Sequence, residues 1–334
     1  MKKLIKKEKG SVTILTALAM VVLIGFSALA IDGGNLYFRH MNLQDISDAS
    51  ALAGCKELIK SQGNDNKKKE DAFDKAIDYM EHNGITVISR NKHNYTAMIK
   101  LNDNETGEVL VSFPDGTKEV KVDLNIDTTL YFARIFGSSS SEVAASAIAS
   151  SGGASQYTGG LVPLSFFWGK EEGEEEYKTG IEYELSLTSG DGESGNYGFL
   201  DIDENPNKFY EYLADGYPGT LSVGDEVQTY PGVSAGLIDR GIEDRISNCC
   251  GNCDEEENFD PDCSRVVIVP IVSDFFEDNN GKTWIEIVGF AQFYIIDYDK
   301  KDKILTGVFI EDVTHSPSLF DAPQYMVQSV RLVQ

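Results

Sequence analysis

The residues best placed to do chemistry are four cysteines in one short acidic stretch, Cys249-Cys250-x-x-Cys253-x9-Cys263. Four thiolates this close could hold zinc tetrahedrally. In an oxidising compartment the same thiols pair instead and tie down the loop that carries them. Adjacent Cys249 and Cys250 are poor partners for each other, because a vicinal bridge strains the backbone, whereas Cys263 with Cys249 or Cys250 would close the loop. Cys55 stands apart from this group. It reads either as a small residue on a helix face or as a site of covalent pairing between chains.

A second group is acidic. Asp201-Ile202-Asp203-Glu204-Asn205 offers oxygen ligands at alternate positions, as an EF-hand loop begins. The sixth position is Pro206 where that loop needs glycine, and the twelfth is Tyr212 where it needs glutamate, so the pattern fails. The four histidines, His40, His82, His93 and His315, stand in no spacing suited to a metal or a nucleophile. There is no Gly-x-Ser-x-Gly elbow, phosphate loop or His-Glu-x-x-His. The sequence therefore assigns no catalytic residue, no cofactor and no metal ligand, and the expectation is a protein that is not an enzyme.

Residues 10–31 carry no charge, and at about 1.5 Å per residue they form a helix of roughly 33 Å, enough to cross a bilayer. Ser11, Leu15, Leu18, Val22, Phe26 and Ile31 mark this anchor along its length. Ahead of it stand Lys2, Lys3, Lys6, Lys7 and Lys9 against the single acid Glu8, which predicts that residues 1–10 stay in the cytoplasm and the remainder lies outside. Ala28-Leu29-Ala30 also has the form a signal peptidase accepts, so a cleaved leader is the alternative. The chain carries −25 overall, and beyond residue 31 it holds 24 basic and 53 acidic side chains. An acidic surface of that size repels phosphate backbones and argues against nucleic acid as a partner. It also keeps an exported domain soluble.

Asp32-Gly33-Gly34-Asn35 reads as a turn, followed by a helix over residues 36–54. Leu36, Leu43, Ile46, Ser50 and Ala53 fall on one stripe of that helix, small and mildly apolar, suited to close packing against a partner or against the domain that follows. The order and spacing of the apolar span, Ala30-Ile31-Asp32-Gly33-Gly34, Leu36-Tyr37, Leu43-Gln44, Asp48-Ala49 and Ala51-Leu52-Ala53 resemble the N-terminal domain of TadG-like Flp (tight adherence) pilus-assembly proteins. Residues 130–137 (LYFARIFG) and 141–149 (SEVAASAIA) resemble a further segment of TadE/TadG-like proteins. The resemblance implies a single-pass component of a surface pilus assembly system. It does not extend to prepilin processing: a cut after Gly10 would put Leu15 where prepilins carry glutamate. The Asp-x-Ser-x-Ser metal loop of long TadG-like proteins is also missing, its nearest approach being Asp48-Ala49-Ser50-Ala51-Leu52.

The expected class is α+β: a long N-terminal transmembrane, pilin-like helix, a small α+β headgroup, then a mainly β second domain. The divisions are a basic tail at 1–10, the span at 11–31, the TadE/G-like helix with its α+β domain at 32–150, a Gly/Ser linker at 151–160, and the β domain at 161–334. In the headgroup a helix is expected at 67–80 and strands at 85–89, 95–101, 109–113 and 120–126. Pro114-Asp115-Gly116-Thr117 turns the last two into a hairpin. In the second domain, strands are expected at 161–167, 177–188, 220–227, 265–272, 283–298 and 304–310, with helices at 206–214 and 234–247, in a partly closed barrel. The expected function is a membrane-anchored, extracytoplasmic pilus-assembly component whose partners are the membrane and other pilus or pilin proteins. The alternative is an anchored or secreted adhesin-like binding module. A small-molecule ligand is not specified by the sequence.

Overall fold

The computed structural model describes residues 11–61, 63–167, 177–187, 197–203, 205–230, 233–249, 263–273, 276–277, 283–310, 313–314 and 326–333. The chain divides into two units, Met1–Ser150 with Leu332–Gln334, and Ser151–Arg331.

The first unit is built on α1 (Ser11–Lys60), a single fifty-residue helix. The turn expected at Asp32-Gly33-Gly34-Asn35 is not there, and the helix runs straight through it. Glycine in a helix interior costs about 1 kcal/mol relative to alanine, and contacts made by the flanking turns outweigh that. α2 (Asp65–His82) starts at Asn64, whose side chain accepts the Lys67 N–H, and buries Ala72, Phe73, Ala76, Ile77 and Met80. Behind the helices lie β1 (Thr86–Asn91), β2 (Thr96–Asn102), β3 (Glu105–Ser112), β4 (Glu119–Thr129) and β5 (Ser140–Gly153). They pair in that order, each antiparallel to the next.

Strict alternation decides which face is buried. Val120, Val122, Leu124 and Ile126 of β4 point inward, as do Val143, Ala145, Ala147 and Ala149 of β5. The small residues permit close approach. A Cβ on Gly54 of α1 would sit 3.1 Å from the Ala72 carbonyl oxygen and 3.3 Å from both Ala76 Cβ and Val120 Cγ1. A Cβ on Gly107 would lie 2.0 Å from the Asn125 oxygen, so only glycine lets β3 and β4 pair there. The run expected to be a linker is extended instead: β5 continues to Gly153, and β6 (Gln156–Thr158) follows at once. The unit boundary falls inside β5, between Ser150 and Ser151.

The second unit adds β7 (Leu164–Phe167), β8 (Glu182–Ser186), β9 (Tyr197–Asp201), α3 (Phe209–Asp215), β10 (Thr220–Ser222), β11 (Glu226–Thr229) and α4 (Ala235–Ser247). β12 (Val266–Val272), β13 (Phe276–Glu277), β14 (Thr283–Asp299), β15 (Ile304–Ile310), β16 (Val313–Thr314) and β17 (Gln328–Val333) complete it. β10 pairs with β6, β13 with β14, and β16 with β17. The long β14 pairs with β11 through its first residues and with β12 and β15 farther on. Because β11 pairs β9, β9 pairs β7, and β7 pairs β12 in parallel, the ladder closes a ring of five strands. The inner cluster holds Leu200, Val227, Ile268, Ile285, Ile287 and Phe290. The opposite face carries Phe166, Val269, Phe293 and Phe309, covered by Phe209 and Leu213 of α3 and Ile238 and Ile242 of α4. Aromatic rings knit this face, with Phe166 and Phe309 centroids 5.0 Å apart and Phe293 and Phe309 5.2 Å apart. The architecture is the expected mixed α+β one: an apolar N-terminal helix, a small helical and sheet headgroup, then a mainly β domain.

Candidate functional site at the membrane-proximal end of the long helix

The site begins with the exposure of α1. Among the described residues it is the one helix long and apolar enough to cross a membrane. Leu15, Leu18, Val22, Phe26 and Ile31 all stand open in the isolated chain, between 48% and 73% exposed. Of Ser11 only its place at the helix start is described. Beyond Asp32 the same helix is half covered by its own domain. Leu43, Ile46, Ser50 and Ala53 are buried and Leu36 partly so. The buried part of this helix packs within the unit, against the sheet and α2. Arg39 reaches Glu105 at 3.1 Å, the His40 ring nitrogen Nδ1 lies 2.9 Å from the Ala144 oxygen, and Gln44 donates to the Ser146 oxygen at 2.9 Å. Cys55 is buried beside Lys118, and desolvation, reinforced by the Glu119 charge, pushes its thiol up to about 12. A thiol so placed is not available for pairing between chains.

Asp32 occupies the junction between the two halves. It is a carboxylate with 5% of its surface exposed, at the point where the apolar run ends. Its Oδ1 accepts the Tyr131 N–H at 2.9 Å, and its Oδ2 accepts those of Phe132 and Ala133 at 3.0 and 2.7 Å. Those amides open a 3-10 turn, Ala133–Phe136, whose own N-cap residue, Phe132, supplies no side-chain cap. Asp32 therefore caps that turn from about a hundred positions upstream, pairing donors the turn leaves open. Burial works to raise the Asp32 pKa, but the Ala133, Tyr131 and Phe132 N–H groups outweigh it and hold the carboxyl below its usual range. Gly137 ends the turn in the left-handed region at φ 96°, a conformation natural to glycine. Residues 130–137 and the Asp32 segment, which suggested the same family separately, thus form one structural feature.

The family comparison falls on this helix. Residues 10–56 match the Flp pilus-assembly TadE/G-like family. This segment is similar to a TadE/G-like domain. No curated protein and no solved structure matches the chain. The TadE/G-like match runs from the start of the apolar span through the buried stripe and stops before α2 begins. Span and TadE/G-like segment together fit a single-pass membrane protein. On the side of the helix away from Asp32, the segment leaves Tyr37, Phe38 and Met41 exposed. Periodicity identified the buried stripe, but nothing in the sequence marked these three as the open side.

The groups singled out in the second unit are structural where they are described. Cys263 is disulfide-bonded, and Cys249 is a free thiol whose Sγ lies 3.5 Å from Cys263 Sγ. Of the two partners expected for Cys263, Cys249 lies against it without bonding. Cys250 and Cys253 lie outside the described residues. Among the described residues no cluster of histidine, cysteine, aspartate or glutamate could hold a metal ion. Asp203 accepts a hydrogen bond from Tyr212 at 2.5 Å. Asp239 accepts from Tyr298 at 2.7 Å and from Lys303 at 2.6 Å, tying α4 to the sheet. Burial opposes ionisation of Asp239, yet Lys303 and Tyr298 keep its carboxyl below the usual range. Each of these acids is hydrogen-bonded to a tyrosine, and Asp239 to a lysine as well.

Proposed function

We propose that this chain is an extracytoplasmic component of a Flp/Tad-type pilus assembly system, held in the membrane by residues 11–31 and acting through protein–protein contacts. The observation that carries the reading is the coincidence of the TadE/G-like match with a helix that passes unbroken from the apolar span into the headgroup. An unbroken helix couples the head rigidly to the bilayer, as a component that positions others requires. The lysines before the span favour a cytoplasmic N-terminus and an external head. The role is one of contact rather than catalysis. Its contact face is the one that the head leaves open, with Tyr37, Phe38 and Met41, since aromatic residues and methionine are enriched in protein interfaces.

A photo-crosslinking amino acid at Tyr37, Phe38 or Met41, introduced in the native host, tests this. The expected result is adducts with a pilin or another pilus-assembly protein, identified by mass spectrometry. The same probe at Leu110, exposed on β3, should give none. Absence of adducts at all three helix positions, or adducts only with proteins outside that system, would overturn the pilus reading and leave an anchored binding module.

A further inference from the structure

The connection between β4 and β5 has features that the pilus reading does not use. The 3-10 turn Ala133–Phe136 packs against α1, and the three N–H bonds of Asp32 fix it to the level at which the apolar run stops. Ala28, one helical turn before Asp32 and so within the apolar span, is buried, although the span residues around it are exposed. Burial along α1 thus begins about 6 Å to the membrane side of Asp32. The turn nevertheless presents apolar side chains outward. Ile135 is 79% exposed and Tyr131 62%, with Arg134 exposed between them.

Its backbone suits a dry surrounding. The N–H groups of Tyr131, Phe132 and Ala133 are taken by Asp32, and that of Leu130 by the Ser139 oxygen at 3.0 Å. Ile135 donates to Phe132 at 3.1 Å, Gly137 to Arg134 at 3.1 Å and Ser138 to Ala133 at 3.2 Å. A surface loop in water has no need to pair its donors internally, whereas one entering a membrane interface loses free energy for each donor left open.

We propose that this turn is a second membrane contact, with Tyr131 and Ile135 seated at the headgroup–acyl boundary of the leaflet in which the apolar span ends. The occupant follows from continuity: the turn stands beside the last turn of the span, at the depth where hydrocarbon gives way to headgroups. Tyrosine and arginine suit that depth, the ring buried and the guanidinium reaching phosphate. Two contacts on one leaflet fix the tilt and rotation of the helix as well as its depth, which a lone span does not. The proposal rests on the membrane-spanning reading of residues 11–31.

The test uses the full chain in nanodiscs of equal parts phosphatidylcholine and phosphatidylglycerol, with Ile135→Trp and, separately, Tyr131→Trp. The wild-type chain, with Trp168 and Trp284, supplies the background to subtract. Expected is blue-shifted emission, quenched about twofold more by a spin label near the glycerol end of the acyl chain than by one at its tail. Leu18→Trp should show the reverse preference. His93→Trp, in the exposed turn after β1, should be quenched by aqueous iodide alone. If Leu18→Trp reports the membrane interior while Ile135→Trp and Tyr131→Trp behave like His93→Trp, the second contact is refuted and the anchor stands. If Leu18→Trp itself escapes the lipid quenchers, the spanning reading fails and the proposal with it.

Discussion

Replacing Leu18 and Val22 together with arginine is expected to remove the protein from the carbonate-resistant membrane fraction. Both lie near the middle of the apolar run and are exposed along α1. Residues 12–31 contain eleven leucine, isoleucine, valine and phenylalanine side chains. At roughly 0.3–0.6 kcal/mol each, these favour insertion by about 3–7 kcal/mol. An arginine at mid-helix opposes insertion by about 2.5–3.5 kcal/mol, so the pair cancels or exceeds the whole gain. The headgroup makes no described use of either side chain, and its fold should persist. The conservative pair Leu18→Ile and Val22→Ile should leave fractionation unchanged. Undiminished retention of the double arginine variant after alkaline extraction, judged by immunoblot, would mean that α1 does not hold the protein in the bilayer.

The second large effect is expected at Asp32. Asp32→Ala leaves three amides without an acceptor, and Asp32→Asn brings an NH2 donor toward three donors. In either variant, hydrogen exchange at Tyr131, Phe132 and Ala133 should accelerate roughly tenfold or more. The wild-type protein should show the same loss in acid. Burial raises the Asp32 pKa, the three N–H groups lower it further, and the net folded value lies below the unfolded one. The contribution is therefore intact above about pH 3.9 and disappears as pH falls through the lower folded value. Asp32→Asn should lack this acid transition because its side chain does not titrate. Exchange rates unchanged by both substitutions would show that the turn is held by other contacts.

Much of this architecture is legible in the sequence because it rests on local periodicity. The apolar span, the amphipathic α2, the β3–β4 hairpin around Pro114–Thr117 and the strand β15 all follow from spacing and turn chemistry alone. Long-range partners are not legible in that way. Gly33-Gly34 reads as a break because its local propensity is poor, and the compensation comes from packing beyond it and from a carboxylate clamp to residues far downstream. The 3-10 turn lacks its own cap for the same reason: the cap belongs to another element. The Ser/Gly run from residue 151 looks like a linker by composition, yet β5 continues through Gly153 and β6 follows, because strand pairing and not local composition decides the conformation there. The spacing of Leu36, Leu43, Ile46, Ser50 and Ala53 puts them on one face of α1, but periodicity names a face and never what covers it. The cysteines show a similar limit, since the spacing admits several pairings and only the fold separates Cys249 from Cys263.

The central claim is that this chain, whose residues 10–56 match the TadE/G-like family, works as a membrane-anchored protein. Intact mass of the natively expressed protein, measured on membrane, medium and sheared-surface fractions, tests it most directly. The account predicts a mass that retains the span at residues 11–31, found in the membrane fraction. A species that starts at Ile31 and is free in the medium would contradict it, as would a chain starting at Ser11 recovered from sheared fibres.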